Sequence, residues 1–505
     1  STTSTTNQLI SAGAWQSTFA GGVPTAGYAN DGLLVKFDSS GNRLWATYFG
    51  GAYDESIYAI ACDSAGSIYL AGATSSGNGI GTAGTFQPVA DTNFVYPGQA
   101  QQFGGFVAKF NASGQRVWGT FLNAIGRGIC INPYGQLYVS GTSKSTHDTM
   151  IAGTGAYLNI GLSPRNDFLM RFEAATGQRV WGTYYGGEFQ AGYNTGYVTS
   201  DSMGNVFLSG PTSSRGAPGS DYVMATPGSH QDTLNAPAGL SYPNSDLYIA
   251  MFDSTGRRKW GTYYGGPGYE SGGRAVVDYS NSALYLGGST VSESAIATAG
   301  SFQSAQDTTN GPGSGQGFLV KFMPKDISLD SLAAYLPDTL CSGNLPLQVQ
   351  VTNKGRMAKN TPTMITYAMV GPVNATGTQS FATPLPVGAT QVFSLGTLNM
   401  SLPGRYDLTI YLHYTPDDND FDNDTLHFSK FIVTPPSAAI TQYFTANTYH
   451  FNNYDNQPGN SYHWDFGDGN SSNQPGEVHT YPDIDSSYLV VLSVTNACGS
   501  ATRAA

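Results

Sequence analysis

A unit of about 72 residues recurs along the first two thirds of this 505-residue chain. Each copy carries a motif in which a glycine is followed two residues later by a large side chain, and these glycines are separated by 71, 71, 73 and 72 residues (Gly13, Gly84, Gly155, Gly228 and Gly300). A Trp-x-Thr-aromatic segment recurs once per unit (Trp45, Trp118, Trp181 and Trp260). Such even spacing is typical of proteins whose repeats bury their surfaces against their neighbours.

Each unit contains short segments rich in Val, Ile, Tyr, Phe and Thr, separated by turns that contain Gly, Asp or Asn. This pattern predicts β-strands joined by hairpins, with almost no helix. In the first unit the segments are GLLVKF at Gly32–Phe37, the Trp segment, SIYAIACD at residues 56–63 and SIYLAG at residues 67–72, and a long polar connection comes after them. A single four-stranded sheet cannot bury both faces, whereas sheets stacked radially can.

We therefore expect an all-β fold in which residues 1–325 form a β-propeller of four-stranded blades, with four full repeats plus partial ends. In this interpretation each blade runs from its GLLVKF-type strand to its SIYLAG-type strand, and the long connection crosses to the next blade. Each Trp is then a packed core residue, repeated because every blade fills the same wedge.

These motifs, in this order, resemble the SBBP-type β-propeller repeat, whose units read aromatic-V-x-K-aromatic, a Gly turn, W-x-T-Y-x-G-G and V-Y-V-x-G. The resemblance covers about residues 1–324. One unit departs from it, because Leu122 and Asn123 stand where the other units have Gly-Gly. We expect the connection to the next strand to take a different path there.

Beyond residue 325 the period stops. The alternating segments LPLQVQVTNKG at residues 345–355 and GRYDLTIYLHY at residues 404–414 predict a seven-stranded β-sandwich over residues 326–433. The stretch resembles a CARDB-type adhesion module, in which VTNKG corresponds to a strand end and PDDNDFDNDT to an acidic turn before the final strand.

Residues 434–505 contain YHWDFGDGNSSNQPGEVHTY and YLVVLSVTNACGS. This pattern strongly resembles a PKD-type β-sandwich, and the resemblance implies that Trp464 and Phe466 point inward while Asp465 and Asp468 shape a tight turn. Residues 1–8 align with the segment after the fourth strand of a repeat, and a PKD-type domain would need one more edge strand after residue 505. We therefore expect the chain to be a piece of a longer polypeptide, truncated within its last sandwich.

The acidic turn is the candidate metal site. Its carboxylates crowd into eight residues (Asp417, Asp418, Asp420, Asp422 and Asp424). Ca²⁺ takes oxygen ligands and would relieve their mutual repulsion, although the spacing does not match an EF-hand loop. A solvated turn on a sandwich rim, without metal, is the alternative. We expect no other cofactor.

The chain has four cysteines and no C-x-x-C motif, which argues against a zinc site. Cys341 and Cys498 fall alone in different predicted domains, so we expect all four cysteines to be buried free thiols. The cysteine pattern does not indicate the compartment.

Charge and motifs exclude several functions. The net charge is −12 with only 22 scattered Lys and Arg, so nucleic acid is not an expected partner. No apolar run reaches the roughly 20 residues that span a bilayer, so no membrane insertion is expected in this segment. No G-x-S-x-G, H-E-x-x-H or P-loop occurs and the seven histidines are isolated, so we expect no enzyme activity.

The resemblances imply a non-catalytic structural or adhesive region of a large protein at the cell surface, similar to bacterial proteins exported by type IX secretion. We expect it to contact a surface glycan, a protein or further copies of itself in a homo-oligomer or filament. The alternative is a carbohydrate-binding accessory region of a larger secreted hydrolase.

The long connections, such as residues 74–104 and 211–244, exceed ordinary loop lengths severalfold, and loops of that length are functional or disordered. Their Tyr, Asn, Gln and Gly content suits a binding surface. We therefore expect these connections to carry the partner contacts, and deletion of residues 218–237 to leave the fold intact.

Overall fold

The structure is a computed structural model, and it confirms the all-β prediction. It describes residues 9–21, 30–91, 104–143, 148–163, 165–187, 196–214, 224–226, 229–235, 245–279, 282–307, 314–323, 325–334, 336–355, 359, 362–413, 423–483 and 485–505. All regular elements in these ranges are strands. None of these residues forms a helix with the length and hydropathy that a membrane crossing requires. The chain divides into two compact units, Ser1–Pro324 and Lys325–Ala505.

The first unit contains strands β1 to β17. Their bounds are β1 Gly32–Phe37, β2 Arg43–Phe49, β3 Glu55–Cys62, β4 Ile68–Thr74, β5 Gly105–Phe110, β6 Arg116–Leu122, β7 Ile125–Ile131, β8 Gln136–Ser143, β9 Asn166–Glu173, β10 Arg179–Tyr185, β11 Tyr197–Ser200, β12 Val206–Thr212, β13 Asp246–Phe252, β14 Arg258–Tyr264, β15 Glu270–Asp278, β16 Ala283–Thr290 and β17 Gln316–Phe322. They are joined as antiparallel meanders in the orders β1-β2, β3-β4-β5-β6, β7-β8-β9-β10, β11-β12-β13-β14 and β15-β16-β17.

The sheets are out of phase with the predicted blades by two strands. Each long connection lies inside one sheet, between its second and third strands, and the step to the next sheet is the shorter segment after the Trp strand. The predicted grouping, in which the connection crosses between blades, is therefore wrong. The connection stays with its own sheet because its backbone bonds to the Trp strand at that sheet's edge, as when Phe121 N–H donates to the Gln87 carbonyl at 2.9 Å.

The unit with the departure does take a different path, as predicted, but the residues at its Gly-Gly positions are Asn123 and Ala124, because Leu122 still belongs to the Trp strand. Only Asn123 and Ala124 join β6 to β7, whereas residues 50–54 join β2 to β3 and residues 265–269 join β14 to β15. Asn123 is buried and accepts a hydrogen bond from the Gln87 amide at 3.0 Å. A buried amide pair thus replaces the Gly-Gly turn in this unit.

The cores of the first unit lie between consecutive sheets. In one of them Tyr69, Val107 and Trp118 of the β3–β6 sheet pack against Leu137 and Phe168 of the next sheet. Equivalent clusters fill the other junctions. The first strands of successive sheets (β3, β7, β11 and β15) also contact each other in series. The sheets are therefore stacked face to face.

The repeated tryptophans tie each repeat to the next. Trp118 Nε1–H donates to the Ala174 carbonyl at 3.1 Å, and Lys109 Nζ donates to the same oxygen at 3.1 Å. Trp45 and Trp181 make the same bond to Ala112 and Ser254, at 3.1 and 3.0 Å. Trp118 and Trp260 are buried and Trp45 and Trp181 half-buried, which confirms the predicted packing role.

A glycine in the next repeat makes room for three of the four indole rings, those of Trp45, Trp118 and Trp181. Gly177 has a φ of 71°, and a Cβ atom there would lie 2.9 Å from the Trp118 ring. A Cβ at Gly114 or Gly256 would lie 2.8 Å from Trp45 or Trp181. Both the backbone conformation and the space therefore require glycine.

The second unit begins with an eight-stranded sandwich, one strand more than predicted. Its strands are β18 Ile327–Leu332, β19 Thr339–Cys341, β20 Gly343–Asn353, β21 Thr363–Val370, β22 Ala375–Phe381, β23 Thr390–Met400, β24 Gly404–Leu412 and β25 Thr425–Val433. The sheets are ordered β18-β20-β23 and β19-β25-β24-β21-β22. The additional strand is short β19, which pairs in parallel with the end of β25. Alternating residues of both sheets, such as Val349, Val351, Leu408 and Ile410, form the core.

A second sandwich comes next, with strands β26 Thr441–Thr445, β27 Thr448–Asn452, β28 Ser461–Asp465, β29 Ser471–Ser472, β30 Gly476–Thr480, β31 Val491–Asn496 and β32 Gly499–Ala504. Its sheets are β26-β27-β30 and β29-β28-β31-β32. Trp464 and Phe466 are buried in its core, as predicted. Asp465 and Asp468 each accept a backbone N–H two residues ahead at 3.0 Å, which confirms their turn role. The expected lack of a last edge strand is wrong, because β32 pairs with β31.

Candidate functional site

The acidic turn lies mostly outside the described residues, which include only Asp424 of its five aspartates; Asp417, Asp418, Asp420 and Asp422 are not among them. Asp424 is buried, and its carbonyl accepts a hydrogen bond from the Leu412 N–H at 2.9 Å. The described part of the chain contains no group of three or more His, Cys, Asp or Glu side chains that could hold a metal ion. Calcium binding at this turn stays a prediction.

Described residues of the long connections pack into the first unit, which contradicts the expectation that residues 218–237 are dispensable for the fold; that the connections carry the partner contacts stays a prediction. Met224 and Ala225 are buried in the core between two sheets. The Met224 carbonyl accepts hydrogen bonds from the Tyr185 hydroxyl at 2.6 Å and from Arg258 at 3.0 Å. Deleting residues 218–237 would remove these contacts and should unfold the region. Residues 92–103, 215–223 and 236–244 of these connections lie outside the described residues.

Two carboxyl pairs are buried in the first unit at equivalent positions of different repeats. In the first pair, the Asp31 Oδ2 atom accepts hydrogen bonds from Gln16 at 2.9 Å and from the Ala20 N–H at 2.8 Å. Glu55 accepts hydrogen bonds from the Thr74 hydroxyl at 2.7 Å and from the Gly51 N–H at 2.9 Å. Both carboxyl groups are fully buried.

The second pair repeats the first. Asp246 accepts hydrogen bonds from Gln231 at 2.5 Å and from the Asn235 N–H at 2.9 Å. Glu270 accepts hydrogen bonds from Thr290 and Ser292, both at 2.6 Å. The two Asp–Glu pairs have the same spacing along the chain, 31 to 55 and 246 to 270. A recurring Gln…Asp…Glu pattern in the sequence could have revealed them.

In each pair, the same oxygen of the aspartate lacks a hydrogen-bond partner. Asp31 Oδ1 and Asp246 Oδ1 are buried and have no hydrogen-bond partner in the described structure. A Cβ atom at Gly50 would lie 2.7 Å from Asp31 Oδ1 and 2.5 Å from Glu55 Oε2, so the two oxygens crowd the same side of this glycine. The same holds for Asp246 and Glu270 around Gly265. A proton placed between the two carboxyls would supply the missing partner.

Burial raises the pKa values of three of these carboxyl groups, Asp31, Glu55 and Asp246. Removal from water raises the pKa of Glu55 to about 7, although the hydrogen bonds from its neighbours act to lower it. Burial likewise raises the pKa of Asp246 to about 7, and the nearby Glu270 carboxyl adds to the effect. Burial also raises the pKa of Asp31. Because these carboxyls are closed off from solvent, the pairs are suited to a structural role and not to catalysis on a bound molecule.

We expect Glu55 and Asp246 to make the first unit less stable as the pH rises from about 4 to 7. An unfolded carboxyl ionises near pH 4 whereas the folded one keeps its proton to about pH 7, so the contribution is complete below pH 4 and is lost by pH 7. Relative to Glu55→Gln or Asp246→Asn, the wild type should lose roughly 1–3 kcal/mol over this range. Urea unfolding at several pH values, with exposed Glu293→Gln as the control, measures it; parallel pH curves for all variants would contradict it.

A disulfide joins Cys341 to Cys498, so the prediction that these two are free thiols is wrong. Their Cα atoms are 5.1 Å apart, within the range of natural disulfides, and the residues are 157 positions apart in sequence. Cys341 ends β19 in the first sandwich, and Cys498 lies in the turn between β31 and β32 of the second. Cys62 and Cys130 are free, as predicted, but Cys62 is exposed and Cys130 only half-buried, so the expected burial is wrong for Cys62.

Hydrogen bonds reinforce the contact between the two sandwiches. The Thr434 N–H, just after β25, donates to the Gln457 side chain at 2.8 Å, and Asn496 donates to the Thr434 carbonyl at 3.0 Å. Gly459 also approaches Thr339 closely, since a Cβ atom there would lie 2.9 Å from the Thr339 hydroxyl. The two sandwiches are therefore joined both by the disulfide and by hydrogen bonds.

The second sandwich has a cleft of about 250 Å³ beside its β26 edge. Aromatic and polar side chains line it, among them Tyr449, Tyr481, Tyr488 and Asp483. The Tyr481 and Tyr488 rings stack with centroids 4.2 Å apart. Such a lining can accept a small polar ligand.

Residues 432–505 match the PKD domain family, which confirms the PKD resemblance for the second sandwich. PKD domains are typical of extracellular and surface proteins. No curated protein matches the sequence of the chain. The SBBP-type and CARDB-type resemblances remain predictions.

Solved structures show only distant likeness. The extracellular domain of a two-component system from B. thetaiotaomicron is 12% identical over 80% of this chain and 62% of its own length, with a TM-score of 0.21. A tetra-tandem repeat from the extending region of a large adhesion protein is 13% identical over 89% and 99%, with a TM-score of 0.17. Two fibronectin type III domains of chicken tenascin are 10% identical over 36% and 99%, with a TM-score of 0.16. TM-scores this low carry no argument about function.

Proposed function

We propose that this chain is a non-catalytic adhesive segment of an extracellular protein that contacts surface glycan or protein. The observation that carries the proposal is the Cys341–Cys498 disulfide between two sandwiches, one of which matches the PKD family. Structural disulfides form and persist in oxidising environments such as the cell exterior. A covalently closed pair of sandwiches suits a segment that transmits load.

In this proposal residues 1–324 are SBBP-type β-propeller blades and residues 326–433 are a CARDB-type module. The face-to-face stacking of four-stranded meanders supports the propeller, because their first strands lie side by side as they would around a central axis. The two-sheet sandwich supports the adhesion module. The blades supply a rigid platform, and the sandwiches come after it in sequence.

The second sandwich presents an aromatic edge that suits the adhesive contact. All five residues of β26 are exposed, including Tyr443 and Phe444. The Tyr443 ring stacks on His450 with centroids 4.4 Å apart, so it is held in place at low entropic cost. Pre-ordered aromatic side chains are favoured in protein contacts. We place the main contact with the partner here.

A second candidate function is the carbohydrate-binding accessory region of a larger secreted hydrolase. The tyrosine-lined cleft beside β26 favours it, because aromatic rings with nearby carboxylate and amide groups can hold a sugar. In that case binding would depend on the cleft and not on the exposed β26 edge.

The test is a binding array of surface glycans and matrix proteins, probed with the labelled full chain. We expect saturable binding to a glycan or protein whose mass is unchanged afterwards, and at least a tenfold loss of binding in a Tyr443→Ser, Phe444→Ser double variant. Exposed Val117→Ser in the first unit is the control. Cleavage of the bound ligand, or no binding anywhere on the array, would overturn the proposal. Binding to polysaccharide that only Tyr488→Ala abolishes would favour the second candidate.

A further inference from the structure

Three junctions between repeats contain the same half-buried aromatic contact. The ring two residues after the motif glycine lies on an Arg and a Phe of the following sheet. For Trp15, the Arg116 guanidinium is 4.4 Å from the ring centroid and the Phe110 ring is 5.8 Å away. Phe86 contacts Arg179 and Phe172 in the same way, and Tyr157 contacts Arg258 and Phe252.

The β15–β17 sheet exposes the residues that would make the next such junction. Phe302 occupies the position of Trp15 and is fully exposed. Leu319 of β17 is 74% exposed, whereas the equivalent residues of β1, β5, β9 and β13 are at most 4% exposed (Leu34, Val107, Leu169 and Ile249). Val276 of β15 is also exposed. We call Val276, Phe302 and Leu319 the tail face.

The β1–β2 hairpin exposes the opposite half of a junction. Phe37 is 58% exposed, although its equivalents Phe110, Phe172 and Phe252 are fully buried. Gly41, the equivalent of the glycines beneath Trp45 and Trp118, has no atom within 4 Å of where its Cβ would lie. Arg43 is the equivalent of Arg116. We call Phe37, Gly41 and Arg43 the head face.

We propose that the tail face of one chain packs on the head face of a second copy and reproduces the internal junction between copies. Phe302 would then lie on Phe37 and Arg43, as Trp15 lies on Phe110 and Arg116. Both faces are exposed in the same chain, so they do not cover each other. A contact between two different surfaces is heterologous, so repeating it builds a ring or a filament. The proposal depends on the blade junctions alone and stands or fails separately from the adhesive role.

The contact should be weaker than an internal junction. The β15–β17 sheet has three strands where the complete sheets have four, and the missing one corresponds to the Trp strand. The indole hydrogen bond across the junction is therefore absent. We expect association that rises with concentration between about 1 and 100 μM.

Sedimentation velocity on five samples of the full chain tests the proposal. The wild type should associate. Leu319→Arg, which blocks the tail face, and Phe37→Arg, which blocks the head face, should each remain monomeric. An equimolar mixture of the two variants should form a 1:1 dimer and grow no further, because each retains the face that the other lacks. Val117→Arg, at an exposed position outside both faces, should behave as the wild type.

Circular dichroism and thermal unfolding confirm that each variant is folded, which we expect because both substituted side chains are exposed. A wild type that stays monomeric at about 100 μM overturns the proposal, whether its faces are unused or close on each other within one chain. Association that persists in both single variants, or a mixture that stays monomeric, also overturns it.

Discussion

Trp118→Ala should lower the free energy of unfolding of the first unit by about 3–5 kcal/mol, as for other buried aromatic residues. The Trp118 ring is 3% exposed and lies in the core between two sheets, and its indole N–H bonds to Ala174 in the next repeat. Its loss leaves a cavity at a junction and removes one of the two hydrogen bonds to the Ala174 carbonyl, which keeps the one from Lys109. Urea unfolding followed by tryptophan fluorescence measures the change, because five of the six tryptophans lie in residues 1–324.

Val117→Ala is the matched control. Val117 is the neighbour of Trp118 on β6 but is 48% exposed, so its truncation should change stability by less than about 0.5 kcal/mol. If Trp118→Ala costs no more than this control, the tryptophan is not a junction residue.

Removal of the disulfide should destabilise the second unit by about 2–5 kcal/mol, because the bond closes a long loop in the unfolded chain. The change is Cys341→Ser together with Cys498→Ser, and calorimetry of the full chain gives the shift of the second unit's transition. Cys62→Ser with Cys130→Ser is the control, since neither residue is bonded to another cysteine.

Thiol titration of the unfolded, unreduced chain checks the premise of this prediction. Two reactive thiols are expected from the four cysteines. Four reactive thiols in a chain recovered from an oxidising compartment would show that the disulfide does not form, and the proposed extracellular location would lose its main support.

Strand content and repeat number were readable from sequence, but the grouping of strands into sheets was not. A repeating sequence does not show at which strand one sheet ends and the next begins. A boundary after SIYLAG is the simplest choice, because a long connection follows that strand. The structure pairs β4 with β5 across that connection, at Leu70 opposite Ala108. This pairing depends on the connection's hydrogen bonds to the Trp strand, a nonlocal effect that residue patterns do not encode.

The packing role of the connections was not predicted, for a related reason. Their polar composition is typical of binding loops, yet the aromatic residue of each glycine motif, such as Phe86, packs against the following sheet. The recurrence of that aromatic at a fixed offset from the glycine was the available signal. An aromatic residue that occupies the same position in every repeat is expected to pack in the core.

The disulfide and the carboxyl pairs join residues from distant segments. Nothing local marks Cys341 and Cys498 as partners, because they belong to different sandwiches. The carboxyl pairs are visible as a pattern in the sequence. Asp31 and Asp246 each stand at the start of a β1-type strand, and each is followed by a glutamate at the same spacing. Comparing charged residues between repeats, and not only apolar ones, would have found these pairs.

The junction between repeats is the central feature of the first unit, and a double-mutant cycle between Gly177→Ala and Trp118→Ala tests it most directly. A Cβ at Gly177 is strained by its positive φ and also meets the Trp118 ring, whereas Gly41 has a similar φ of 82° and no neighbour within 4 Å. Gly177→Ala should therefore cost at least about 1 kcal/mol less when Trp118 is already alanine, while Gly41→Ala should be additive with Trp118→Ala. Additivity of both pairs to within about 0.5 kcal/mol would contradict the junction.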